Sequence, residues 1–198
     1  MDSADKPKQQ RRERERSRTR ASILDAARRV ATREGARNLS LRAAAAEAGY
    51  APAALYGYFR NKDELLLALA AEDLSALARA MREVVQGREQ GKLGAAAAVA
   101  LDLLENTETF AAVPSALPQH AGTSDAERVF NGRMIAALTA LSEAVGDARS
   151  REAQADVLLI AAALTGLALL GRAGRLQALG FTNQEILARL NRHFSEQD

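Results

Sequence analysis

The sequence predicts an all-α protein, with an N-terminal three-helix domain carrying a helix-turn-helix and a larger helical domain behind it. Three observations lead there. Alanine, leucine, arginine and glutamate dominate the 198 residues while β-branched side chains are scarce, a bias that favours helix almost throughout. Apolar residues recur at steps of three and four along most of the chain. Between Ser40 and Lys62, two short helical stretches are separated by a glycine, the spacing of a helix-turn-helix. With 47% hydrophobic and 26% charged residues, the composition is that of an ordinary globular protein large enough to bury a core.

Residues 1–18 carry almost no apolar side chains and read as a disordered basic arm. Lys6, Lys8, Arg11, Arg12, Arg14, Arg16 and Arg18 could track phosphates or enter a minor groove. Equally, the arm could be a solvated tail whose Glu13 and Glu15 offset the arginines. A first helix follows from about Thr19 to Glu34, with Ile23, Ala27 and Val30 on one face and Gly35 as its stop. Arg28, Arg29 and Arg33 read as its solvated side.

The next helix, Ser40–Ala48, opens on a serine suited to N-capping, and Gly49 suits the left-handed turn that ends it. Pro52 stands in the first turn of the following helix, where a missing N–H does no harm. Leu41, Ala45, Ala48, Leu55 and Phe59 should form the small core. Ser40, Arg42, Ala51, Pro52, Ala53, Ala54, Tyr56, Gly57, Tyr58 and Lys62 should stay outside it. A second helix of this kind enters a DNA major groove. Charge agrees: residues 1–62 hold 15 Lys/Arg against 7 Asp/Glu, a balance of +8, whereas residues 63–198 hold 12 against 18, a balance of −6. A polyanion partner is implied for the first part only.

The pieces Ile23-Leu-Asp-Ala-Ala-Arg, Glu34-Gly35, Ser40-Leu-Arg42, Glu47-Ala-Gly49, Leu55-Tyr56-Gly-Tyr58-Phe59 and Asn61-Lys62-Asp-Glu-Leu65 together resemble the N-terminal domain of the TetR family of transcriptional regulators. The resemblance covers about a quarter of the chain. It implies that Ser40, Arg42, Tyr56, Tyr58 and Lys62 meet the DNA backbone, positioning the domain without reading sequence. Base reading is then expected from residues 51–54 and Gly57. Here the chain departs from the family pattern. Ala51 replaces a Ser or Thr cap, a loss of about 1 kcal/mol, and Gly57 costs the helix roughly another 1 kcal/mol. With no Arg, Asn or Gln at those positions, readout by thymine-methyl contact and DNA shape is expected.

From Asn61 a long helix should run to about Gln86, with Leu66, Ala70, Leu74, Leu77, Met81 and Val84 as its stripe, carrying the chain from the 19–65 domain into the 66–198 domain. A helix over about 95–107 follows, then a proline-broken segment over residues 110–124. Ser124 and Glu127 have capping-box spacing and open a helix with Phe130, Met134, Ala137, Leu141 and Val145 on one face. A further helix is expected from Arg151 to about Leu179, apolar nearly all round and therefore buried on every side. Thr182 and Glu185 form another capping box before the last helix.

The last two helices are expected to form a homodimer seam. Ala161, Gly166, Ala168 and Gly171 permit close approach, with Leu187, Leu190 and Phe194 on the final helix, making a four-helix bundle. A dimer would present two reading heads to a two-fold symmetric, palindromic operator in double-stranded DNA. The resemblance further implies a small-molecule effector, of a kind not readable here, held in the second domain and releasing DNA. Leu77, Met81, Leu101, Leu104 and Phe110, with Phe130, Met134, Leu138 and Leu164, would line such a site. Asn106, Thr109, His120, Asn131, Thr139 and Thr165 are its candidate polar handles. An effector-independent dimeric DNA-binding protein is the alternative. An enzyme is not expected: the two histidines lie far apart, cysteine is absent, and no phosphate loop, nucleophile elbow or metal spacing occurs. No cofactor or metal is expected. The N-terminus is too polar for a signal peptide, and the apolar run Val157–Leu170 is too short for a bilayer that needs roughly 20 residues, so a soluble cytoplasmic protein is expected.

Overall fold

A computed structural model describes residues 5–109, 112, 124–146 and 150–195. Its helices are α1 (Asp5–Glu34), α2 (Leu41–Ala48), α3 (Pro52–Leu55), α4 (Lys62–Val85), α5 (Lys92–Asn106), α6 (Asp125–Val145), α7 (Arg151–Arg172), α8 (Arg175–Ala178) and α9 (Asn183–Ser195). The described residues contain no strand, and the fold is all-α as expected. The chain divides into two compact units. The first holds residues 1–69, and the second begins at Ala70. The proline-broken segment falls outside the described residues, apart from Ala112.

In the first unit α1 packs on α2, and α2 on α3. Ile23, Leu24, Val30, Leu39, Leu55, Phe59, Leu65 and Leu69 are buried among them. Helix α1 begins at Asp5, well ahead of Thr19, so the arm expected to be disordered is helical over its described part. Arginine, glutamate, glutamine and lysine are good helix formers, and Arg11 pairs with Glu15 one turn on at 3.6 Å, the spacing that supports an exposed helix. The packed half of α1 supplies a formed helix to extend, which avoids the unfavourable nucleation step.

In the second unit α5 packs against α6, α7 and α9, and α7 also meets α6, α8 and α9. Both capping boxes form. The Ser124 Oγ accepts from the Glu127 N–H at 3.3 Å, and Thr182 and Glu185 each accept from the other's backbone N–H. The expected single helix to Leu179 is instead broken after Arg172. Gly174 adopts a left-handed φ of 64° that no extended run of helix contains, and α8 is a separate short turn. Nor is α7 buried on every side. Val157, Ile160, Leu164 and Leu167 face inward, while Leu158 and Leu159 are 57% and 59% exposed and Leu169 and Leu170 lie open as well. At 22 residues α7 is long and apolar enough to cross a bilayer, because helix continues beyond the apolar run at both ends. That property is shared by core helices of soluble proteins, and one such helix is weak evidence of a span.

Candidate nucleic-acid interface

The motif is assembled by local devices. The Ser40 Oγ accepts from the Ala43 N–H at 3.1 Å and caps α2. Gly49 ends that helix with φ 74°, a conformation open to glycine at little cost. Pro52 occupies the first turn of α3, and Ala51 ahead of it provides no side-chain cap. Helix α3 is accordingly only four residues long, and Tyr56, Gly57 and Tyr58 continue as a turn. At the start of α4 the Asn61 Oδ1 accepts from the Glu64 N–H at 2.8 Å, and the Glu64 carboxylate returns to the Arg60 N–H.

Ala51, Pro52, Ala53, Ala54 and Gly57 are all exposed, as are Arg42 and Tyr56. Tyr58 and Lys62 are half-buried. Lys62 was expected to offer its ammonium outward from the helix start. Its Nζ instead donates to the Arg37 carbonyl, joining α4 to the loop that precedes Ser40. Ala48, expected in the core, is half-buried too.

Helices α1 and α2 are joined by charge. Arg29 Nε donates to Glu47 at 2.8 Å and Arg33 Nη1 at 3.1 Å, so these arginines are engaged with α2 rather than forming a merely solvated face. The hydrogen bond from Arg29 first, and that from Arg33 next, hold the Glu47 carboxyl below its ordinary value of 4.5. A depressed carboxyl stabilises the fold above its unfolded pKa, and that contribution is lost as pH falls through the folded one. Melting of wild type and Glu47→Gln should therefore differ at neutral pH. The gap should close below pH 4.5; a gap that persists at pH 3 by circular dichroism would rule out the carboxylate as its source.

Two contacts escaped the sequence reading. The Arg16 Nη2 donates to the Gly57 carbonyl at 2.8 Å, with the guanidinium 5.4 Å from the centre of the Tyr58 ring. Arg20 lies 5.1 Å from the centre of the Phe59 ring. An arginine thus does reach the bare reading segment, although from α1. The available signal was the match between an i, i+4 arginine pair and adjacent aromatics, which only the packed fold turns into contact.

In the second unit, Leu77, Met81, Leu101, Phe130 and Leu164 are buried, and Leu104 and Leu138 are half-buried. Met134 and Thr165 are exposed, so they do not line an interior site; they sit on outward positions of α6 and α7. Phe110 and His120 lie outside the described residues. Several expected polar handles are already engaged. Thr165 and Thr139 donate to carbonyls one turn back, Ala161 and Ile135; Asn106 donates to Asp102; and buried Thr109 donates to the Asp73 carboxylate. Asn131 is half-buried. An open groove of about 510 Å3 lies between α5 and α9, lined by Leu101, Asp102, Glu105, Asn183, Leu187 and Asn191 among others. It shares Leu101 alone with the expected lining. Of the expected seam, Ala161, Leu187 and Phe194 are half-buried and Gly166 is exposed. Ala168 (4% exposed) and Leu190 (8%) are turned into the unit's own core, where α7 and α9 meet their neighbours, and cannot face a partner.

Residues 23–69 match the family model of bacterial regulatory proteins, tetR family, a family of DNA-binding regulators rather than enzymes. A stretch of 70 residues is 47% identical to the HTH-type nicotine-responsive transcriptional repressor HdnoR of Paenarthrobacter nicotinovorans, spanning 35% of this chain and 36% of that relative's length. Among solved structures, a protein of unknown function from Rhodococcus sp. RHA1 is similar with a TM-score of 0.71 and 25% identity, over 89% of this chain and 93% of that one. BioQ, solved with its double-stranded DNA operator, shares the fold at a TM-score of 0.60 and 20% identity, over 90% and 98% of the two chains.

Proposed function

This chain belongs, by its N-terminal domain, to the tetR family of bacterial regulatory proteins, and we propose that it is a dimeric transcriptional repressor of a palindromic operator, released by a small, largely hydrophobic ligand held in the second unit. The observation that carries the DNA reading is the capped α2, the Gly49 turn and the exposed α3 surface standing together in a basic unit. Hydroxyls and cations at Ser40, Arg42, Tyr56 and Tyr58 would bond phosphate oxygens and set orientation. The bare residues 51–54 and 57 would meet the groove by shape and methyl contact.

A second copy is supported by the open leucines of α7. A contiguous apolar face of that kind marks a site of association, and a dimer covers it while pairing two reading heads. A ligand would act by binding the DNA-incompetent state more tightly. Selection of bound duplexes from a random pool tests the whole reading. Two half-sites related by a two-fold axis are expected; recovery of single half-sites, or of no enriched sequence, would defeat it.

A further inference from the structure

Along α1, Lys8, Arg12, Arg16 and Arg20 stand at successive i, i+4 positions, and all four are exposed. Four residues advance an α-helix by slightly more than one turn, so such a ladder keeps its members on one slowly drifting face, about 40° per step. Its lower two members are tied to the reading segment: Arg16 to the Gly57 carbonyl and the Tyr58 ring, Arg20 to the Phe59 ring. The upper two continue beyond it. At about 1.5 Å per residue the four charges extend over about 18 Å. Glu15 is paired with Arg11, outside the ladder.

We propose that this ladder is a second DNA-contacting element, a helical rail that leaves the reading segment and follows the sugar-phosphate backbone. The inference rests on the DNA-binding reading above. Evenly stepped cations match a strand that presents one phosphate per about 3.4 Å of axis; they fix position and carry no sequence information. Continuity with the reading segment decides the occupant, because Arg16 and Arg20 place the rail's foot at the surface that meets DNA. The rail differs from a basic tail in one respect. Its charges work only while the helix between them is continuous.

Two variants of the full chain test it on the pool-selected duplex. Lys8→Gln/Arg12→Gln should make the plot of log affinity against log salt shallower by about 1.8, at 0.9 per lost phosphate contact, with half-site preference unchanged. Glu15→Pro keeps all four cations and removes a negative charge, but interrupts the helix between Arg12 and Arg16. It should lose the same slope. An unchanged slope in the double variant overturns the rail, as does a Glu15→Pro protein that binds like wild type, which would make the segment a flexible tail. Wild type that binds no duplex at all defeats the DNA reading itself, a separate outcome.

Discussion

Replacing Phe59 with alanine is expected to unfold the first unit while the second stays helical. The ring is 1% exposed and ranks among the largest fully buried side chains of the protein. Phe→Ala changes at such sites cost about 3–5 kcal/mol through lost burial and the cavity left behind. A small unit has little stability to absorb that, and roughly 15 °C or more of melting temperature should go with it. Arg20 also loses the ring it lies over. Thermal circular dichroism should show an early partial transition, and amide exchange should assign it to residues 19–69. A variant that melts within two or three degrees of wild type would show that Phe59 does not anchor this core.

The second large effect is on assembly. Leu158→Glu/Leu159→Glu places charges at two positions that no residue of the chain's own core covers, so the protomer should fold as before. In a dimer seamed on this face, four leucines would be lost across the two copies. At roughly 1.5–3 kcal/mol for each full burial, even half that value weakens association by about 1,000-fold. Sedimentation should find a dimer for wild type and a monomer of unchanged helicity for the variant at micromolar concentration. A monomeric wild type, or a variant that still sediments as a dimer, would remove α7 as the seam.

What could be read from residues alone follows from how local each device is. The Ser40 cap, the Gly49 turn and Pro52 at the start of α3 all act within a few residues, so spacing reveals them. The joining of Arg29 and Arg33 to Glu47, and of Arg16 to Gly57, depends on which faces of separate helices meet. Charge patterning alone leaves such arginines looking solvated. Helix α7 failed for a different reason. A stretch apolar on all sides has no periodicity to distinguish Ala168, which faces inward, from Leu169, which does not. Its continuation past Gly174 was misread because the apolar and helix-forming residues of α8 mask a single left-handed glycine. The basic arm was misjudged because the absence of apolar residues removes a reason to pack without removing the capacity for helix.

That last point has a thermodynamic side. A flexible tail with the charges of residues 8–20 would have to surrender its conformational freedom on meeting DNA, at about 1–2 kcal/mol for each residue whose backbone becomes fixed. In α1 the same residues are already ordered, by continuation from a helix whose other half is anchored through Ile23, Leu24 and Val30. Attraction between its cations and phosphates is then offset only by the immobilisation of side chains. Preorganisation of this kind lets a short run of modest contacts contribute nearly its full electrostatic value.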